Sequence, residues 1–507
     1  MESAAKRLNR AVPLHLPIAP PLYAHEKGGG MRNWLLALSA IALAPSANAQ
    51  QQPIPPSPAA TEVVLPVAPI SAEQQRTIAR LQATALESDL AWEIVEDLVT
   101  EIGPRLAGSE AEARARDWAV AMLREQRFSN VRIEPFTIPY WDAVREEAHI
   151  VSPGLERPMV AAALGGSPST PAGGVTAPVV RFADMTALEA APSSAVAGRI
   201  VFIDERMARA QDGSGYTVAV RKRSRCAPVA QAKGAMGCLI RAVGTDTHRF
   251  AHQGGSSRQA DGASLPAMAI SPADADVLAS LVARGAARVR LDIQTDIRDN
   301  APTGNVIAEI RGRERPDEIV LIAAHLDSWD LGQGAIDDGA GVAIITAAAR
   351  LIRELPRRPR RTIRILLAGA EENGVHGGEE YARVHAGERH IVAAESDFGA
   401  GRVWRFDTRF SEPALSYARA FQRALAPLGV LPGNNATEGG PDVDDLRKAG
   451  VPVVDLAQDG TDYFDIHHTA NDTLYAIDPA NLRQNVAAWA TFVYLAADSD
   501  WVFRSEQ

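Results

Sequence analysis

DEIVLIAAHLDSWDLGQGAIDDGAG, residues 317–341, decides the reading of this chain. Its first eight residues form a short apolar run of the kind that makes a buried parallel strand, and His325 follows at its end. The next segment, 339–355, reads as a helix. Val342, Ile344, Ile345, Ala348, Leu351 and Ile352 can face a sheet, with Arg350, Arg353 and Glu354 outside. Thr362 to Ala370 reads as another central strand, with Glu371 and Glu372 directly after it, and a third run, His390 to Ala394, precedes Asp397. In open α/β sheets ligands bind beyond the carboxyl ends of the strands. Three strand ends therefore bring His and acidic side chains to one edge of one sheet, and the fold class is α/β.

His, Asp and Glu at such positions are what a hydrolytic metal centre requires. Zinc takes imidazole nitrogen and carboxylate oxygen, and a catalytic site keeps a position open for water. His325, Asp337, Glu372, Asp397 and His468 make five candidate ligands, with Glu371 as an adjacent spare carboxylate. Singly, each has a plain structural reading. An Asp-Asp pair beside glycine is turn chemistry, and adjacent glutamates suit a helix start. The order H-x-D, D, E-E, D, H, with strand-end placement, outweighs those readings and points to a two-metal hydrolase. A ligand carboxylate commits its lone pairs to the metal, whereas a base must stay off it and within reach of the water. Two neighbouring glutamates can divide those jobs.

The blocks HLDSWDLGQGAIDDGAG (325–341), AEENGVHGGEEY (370–381), ESD (395–397), KAGVP (448–452) and YFDIHHTANDT (463–473) resemble the M28 family of zinc exopeptidases. Within it the chain most resembles the carboxypeptidase Q group, and the likeness extends upstream to IGPRLAGSEAEARARDWAV (102–120). The resemblance implies a zinc-exopeptidase fold, with a mixed central sheet flanked by helices, and an inserted strand-rich, protease-associated-like domain. It implies two Zn2+ per chain, Mn2+ or Co2+ being alternatives that mixed His and carboxylate ligation does not exclude. Asp337 would bridge the metals, His325 and Asp397 would hold one, and Glu372 and His468 the other. Asp327 would hydrogen-bond His325 and fix its tautomer. Glu371 would be the general base toward the metal-activated water, and His467 would contact substrate or oxyanion, or pack. A cis peptide is implied between Asp337 and Asp338.

The same resemblance implies hydrolysis of short peptides or dipeptides near a free terminus, as a dipeptidase or carboxypeptidase, with aminopeptidase specificity as the alternative. Glutaminyl cyclisation, and a non-catalytic binding protein on the same fold, are the other readings; the filled ligand set argues against both. The partner is a short peptide, and relatives point to a homodimer.

A net charge of −10 argues against nucleic-acid binding, which needs a basic face. The densest basic stretch, Arg357 to Arg364, reads as a solvated turn. Two cysteines, Cys226 and Cys238, exclude a disulfide framework and a Cys-based zinc site. One bridge and two free thiols are equally compatible with the sequence. Met31-Arg32, the apolar stretch Trp34 to Ala44, and Ala47-Asn48-Ala49 read as a signal peptide cleaved after Ala49. The apolar stretch is too short to span a bilayer, so no stable membrane insertion is expected, and the signal directs the chain to the periplasm or outside the cell. Residues 1–30 then read as a non-native upstream extension, and 50–72 as a flexible linker.

Residues 73–130 and 301–500 read as the catalytic domain, and 131–300 as the inserted domain. His248 and His252 read as residues that cap their loop, with contact to substrate as the alternative. Asp442 is either a pocket residue or a loop acid.

Overall fold

The computed structural model describes residues 67–152, 154–256, 265–285 and 287–503. The signal peptide and upstream extension lie outside these residues. Of the expected linker only 67–72 is described; there the Ala68 N–H donates to the Ser416 carbonyl, 3.0 Å, and Ala72 opens a helix capped by Ser71.

The apolar run after Asp317 forms the strand Arg315–His325, buried along nearly its whole length. It lies between Arg361–Ala368 and Arg389–Glu395 and runs parallel to both. Val453–Gln458 adds a further parallel strand beyond Arg389–Glu395. Antiparallel neighbours, Arg288–Ile310 on one side and Val403–Arg409 on the other, make the sheet mixed. Strands with both faces covered must be apolar at successive positions, which is why these segments read as continuous runs and not as alternation.

The expected helix spans Ala340–Arg353. Almost all of it is buried, between the sheet and the helices Ala72–Glu87, Leu90–Asp97 and Pro479–Asp498. A helix apolar on every side suits such a central place. Only Arg350 and Arg353 reach outward, and they hold Gln126 and the Arg127 carbonyl.

Arg288–Ile310 continues past the central sheet and pairs antiparallel with Ser129–Ser152 over most of its length. This long ribbon crosses the expected boundaries at 131 and 300. From it the sheet passes through Val175–Phe182 to the parallel strands Ile200–Ile203, Gly237–Arg241 and Ala267–Ile270. The segment also carries the helices Ser214–Ala232 and Pro272–Ala283. Cys226 on the first of these is disulfide-bonded to Cys238 on Gly237–Arg241, inside an apolar cluster with Val201, Ile203 and Ile240.

The reading of Arg357 to Arg364 as a solvated turn is corrected. Arg361 and Arg364 belong to a strand and are buried, 1% and 5% exposed. Arg361 pairs with Glu318 and donates to the carbonyls of Ala496, Ser499 and Trp501. Arg364 pairs with Glu309 and Glu388. Buried charge is retained because each guanidinium finds several acceptors. Among the described residues, no helix is long and apolar enough to cross a membrane.

Candidate metal centre

The expected ligands gather at the carboxyl ends of the parallel strands. His325 ends its own strand, Glu371 and Glu372 follow Arg361–Ala368, Asp397 follows Arg389–Glu395, and His468 lies on the loop after Val453–Gln458. Asp337 arrives from the turn that precedes the buried helix, and the Asp337–Asp338 peptide is cis.

Asp337 divides its two oxygens between two sets of side chains. Oδ1 lies 3.0 Å from His325 Nε2, which is itself 3.5 Å from Asp397 Oδ1. Oδ2 lies 3.1 Å from His468 Nε2, which is also 3.1 Å from Glu372 Oε2. His467 stacks on His468 with ring centroids 3.5 Å apart, and its Nε2 is 3.4 Å from Asp337 Oδ2. Asp338 turns away: its oxygens accept the backbone N–H groups of His325 and Gly341.

The donor set fits metal ions. His325 Nδ1 faces the Asp327 carbonyl at 3.0 Å, so we assign a proton to Nδ1 of that ring. His468 Nδ1 has the Gln253 carbonyl at 3.2 Å and the Arg223 guanidinium at 3.3 Å. Each Nε2 faces carboxylate oxygens about 3 Å away, an arrangement that needs positive charge, either a proton on the ring or a metal ion. Glu372 Oε1 and His467 Nδ1 are buried without a partner among the described residues, which a purely structural cluster would not leave.

The electrostatics show how strongly the acidic cluster draws positive charge. Burial and the carboxylates of Asp397, Glu372 and Asp442 push Glu371 well above the usual carboxyl range, against the pull of His325. Burial works against charge on Asp337, but His325 and His468 hold it well below that range. Burial likewise disfavours the His325 imidazolium, and the carboxylates of Asp327, Asp337 and Asp397 reverse this and raise it well above the ordinary imidazole value. Burial and the adjacent His468 keep His467 neutral.

One expected contact differs. The Asp327 carboxylate is 3.7 Å from His325 Nδ1, too far for a hydrogen bond, and the Asp327 carbonyl takes that N–H instead. The carboxylate accepts the backbone N–H groups of Glu371 and Glu372, at 3.0 and 3.3 Å. Asp327 thus ties the His325 strand end to the glutamate pair.

Several supporting residues were not singled out by sequence. Arg105, in the turn-rich IGPRLAGS segment, is fully buried and donates to the carbonyls of Leu326, Gln333 and Gly334. It braces both ends of the loop between His325 and Asp337. Asp472 Oδ1 accepts the Ala335 and Ile336 N–H groups, each at 2.7 Å. From the 131–300 segment, the Gln253 N–H donates to the His468 carbonyl, and Arg223 Nη1 lies 3.3 Å from His468 Nδ1 while Nη2 donates to Tyr216. His252 is buried against Asp246, 2.8 Å, and serves that loop. Asp442 is buried, accepts the Gly378 N–H, and is pushed up to about 7, chiefly by burial.

Comparison with known proteins accords with this geometry. The model of peptidase family M28 matches residues 305–493. Carboxypeptidase Q of Mus musculus is 32% identical over 406 residues, 80% of this chain and 84% of that protein. The crystal structure of a peptidase M28 precursor from Shewanella amazonensis superposes with a TM-score of 0.84 at 46% identity, covering 85% of this chain and 98% of that one. A zinc aminopeptidase from Bacillus subtilis shares the fold, with a TM-score of 0.58 at 21% identity over 81% of this chain and 95% of its own. With four strand ends and one bridging turn converging on a His and carboxylate cluster, and with relatives matched along most of its length, the chain belongs to peptidase family M28 and is a metallo-exopeptidase.

Proposed function

We propose that this chain hydrolyses short peptides or dipeptides at a two-metal centre, with zinc as the resident ion and Glu371 as general base. The single observation behind this reading is the division of Asp337, one oxygen toward His325 and Asp397, the other toward His468 and Glu372. A carboxylate so placed could be shared by two cations, one that His325 and Asp397 would also hold and one that Glu372 and His468 would also hold. When bound, the cations supply positive charge at the scissile carbonyl and lower the pKa of water.

The chain's own groups do the rest. Glu371 is outside the contacts of both half-sites, and the Asp327 carboxylate fixes its backbone. Its place beside both half-sites, but in neither, suits it to take the proton of the attacking water. His467, neutral and buried beside Asp337, offers an N–H to the oxygen that gains charge. Asp327 orients the base and its neighbouring ligand rather than touching substrate. The segment 131–300 acts as the inserted protease-associated-like domain, and its Gln253 loop orders His468.

The likeness to carboxypeptidase Q favours dipeptidase or carboxypeptidase specificity over aminopeptidase specificity. The test is one dipeptide offered unmodified, N-acetylated and C-amidated, with chelator and Glu371→Gln controls. Cleavage that requires the free carboxylate supports the favoured reading, and cleavage that survives amidation but not acetylation replaces it with an aminopeptidase. A disulfide and the signal-like segment 31–49 favour an oxidising compartment, periplasmic or extracellular. Mass spectrometry of the native N-terminus checks cleavage after Ala49, and sedimentation checks the homodimer.

A further inference from the structure

His468 sits in a backbone conformation that its own segment does not secure. Its φ is +61°, a left-handed value that residues other than glycine rarely adopt and that persists only where the surroundings hold it. Just before it comes the helix Tyr463–Ile466, which at four residues is too short to stand alone. Much of what holds this stretch comes from the 131–300 segment. The Gln253 N–H donates to the His468 carbonyl at 2.9 Å, and the Thr245 N–H to the Phe464 carbonyl at 3.1 Å. Tyr216 stacks on Phe464, with ring centroids 4.8 Å apart.

Arg209 of the same segment grips the turn from the other side. Its Nη1 donates to the Thr461 carbonyl and to Asp462 Oδ1, each at 2.7 Å. Its Nη2 forks onto Asp465, 2.6 Å from Oδ1 and 2.8 Å from Oδ2. The Thr245 hydroxyl also donates to Asp465 Oδ1, at 2.7 Å, so both oxygens of this carboxylate, three residues before His468, are taken by the inserted segment. Asp462 is exposed and screened by water, whereas the Asp465 side chain is only 22% exposed, so the pair with Asp465 carries the contact. Among the described residues, the side-chain bonds of Arg209 go only to Thr245 and to 461–465. None reaches the turns that carry His325, Asp337 and Asp397. A planar guanidinium holding a carboxylate and a carbonyl of one turn fixes orientation as well as distance, which an ammonium does not.

We propose that Arg209 is a positioning residue for His468. Its fork on Asp465 locks the 461–465 turn to the inserted segment, and through that turn it sets the half-site of His468 and Glu372 without acting on that of His325 and Asp397. The inference rests on the two-metal reading above and adds that the two half-sites depend unequally on the inserted segment.

The test uses full-length protein, stripped of metal and titrated with zinc against a competing chelator, so that two binding steps are read separately. Arg209→Ala should weaken one step by about 10-fold, the lower end of what loss of a ligand-orienting group costs, and leave the other within about 2-fold. Arg209→Lys, which keeps the charge without the fork, should fall between Arg209→Ala and wild type. A double-mutant cycle identifies the step: in a His468→Ala background, Arg209→Ala should leave the remaining zinc unaffected. The Arg209 side chain is 39% exposed, so its truncation opens no cavity. Should the variant still fail to fold, Arg209→Lys and Asp465→Asn are read by the same criteria. Two unchanged zinc steps in folded Arg209→Ala protein overturn the proposal and leave the two-metal reading standing. Equal weakening of both steps, or a further loss in the His468→Ala background, also overturns it, since either marks general loosening. Wild-type protein that binds fewer than two zinc ions removes the two-metal reading and the positioning role with it.

Discussion

Replacing Arg105 with Met keeps a long side chain in place and removes the guanidinium that braces the metal-ligand loop. Three carbonyls of the loop, of Leu326, Gln333 and Gly334, lose their charged donor, and the Gly103 carbonyl loses a longer bond of 3.3 Å. Hydrogen bonds to charged groups contribute about 1.5–3 kcal/mol each, so three would give roughly 5 kcal/mol or more. Burial of the cation opposes this and lowers its proton affinity despite Asp472 and Asp327 nearby. We therefore take about 3–4 kcal/mol as the net loss. For a unit of this size, unfolding entropy of about 2 cal/mol/K per residue converts that to a drop of about 3–4 °C in Tm. The functional effect should be larger, because Leu326 and Gly334 bracket the stretch between His325 and Asp337. Loss of a group that orients ligands ordinarily weakens metal binding by about 10–100-fold. Calorimetry of apo protein and competitive zinc titration measure the two effects separately. Wild-type Tm and wild-type zinc affinity in Arg105→Met would refute the bracing role.

Glu146 is pushed up to about 7, chiefly by burial, although the Ala163 N–H donates to it at 2.6 Å. Its folded value lies above its unfolded one of about 4.5, so the stability it provides is full below pH 4.5 and is lost as pH rises through 7. Glu146→Gln should thus raise Tm at pH 8 and have little effect at pH 4.5, and the opposite order of effects would contradict the burial argument. The Cys226–Cys238 bridge closes a short loop, with a sequence separation of 12, and its removal by a double Ala substitution should lower stability by about 2–3 kcal/mol. Urea unfolding measures that loss, and thiol counting on the wild-type protein before and after reduction confirms the bridge itself. Asp472→Ala strips the acceptor from two buried N–H groups beside Asp337 and should cost about 2–4 kcal/mol. Zinc retention after dialysis should fall with it, and full retention would count against the role given to Asp472.

The convergence of the candidate ligands was legible in the sequence because His325, Glu372 and Asp397 stand at strand ends, where an apolar run stops at a His or an acid. The signal at 317–325 and 362–372 is local, and so is the helix after Gly339. What was not legible is long-range. Arg105 lies in a turn-rich segment where an arginine reads as solvated, and its acceptors are more than 200 positions away. Arg361 and Arg364 sit in the most basic stretch of the chain, and only the neighbouring strands that bring Glu318 and Glu309 to them reveal burial. The helix Ser214–Ala232 is rich in Arg and Lys and contains Pro228, so periodicity did not announce it. Its Arg223, with Gln253, reaches His468 across 245 and 215 positions, and its Tyr216 meets the His467 ring edge to face. No local pattern encodes such a contact. Asp327 meets His325 as expected, but through its carbonyl, and which of its oxygens does so is not written in the sequence.

The most direct measurement is metal content alongside turnover for wild-type protein, Glu371→Gln and Asp337→Ala. Two zinc ions per chain are expected in wild type and in Glu371→Gln, with turnover in the latter reduced by about 10²–10⁴-fold. Asp337→Ala should lose metal and activity together, since it removes the shared ligand. Near-normal turnover of Glu371→Gln at full metal content, or two ions retained by Asp337→Ala, would contradict an Asp337-bridged centre with Glu371 as its base.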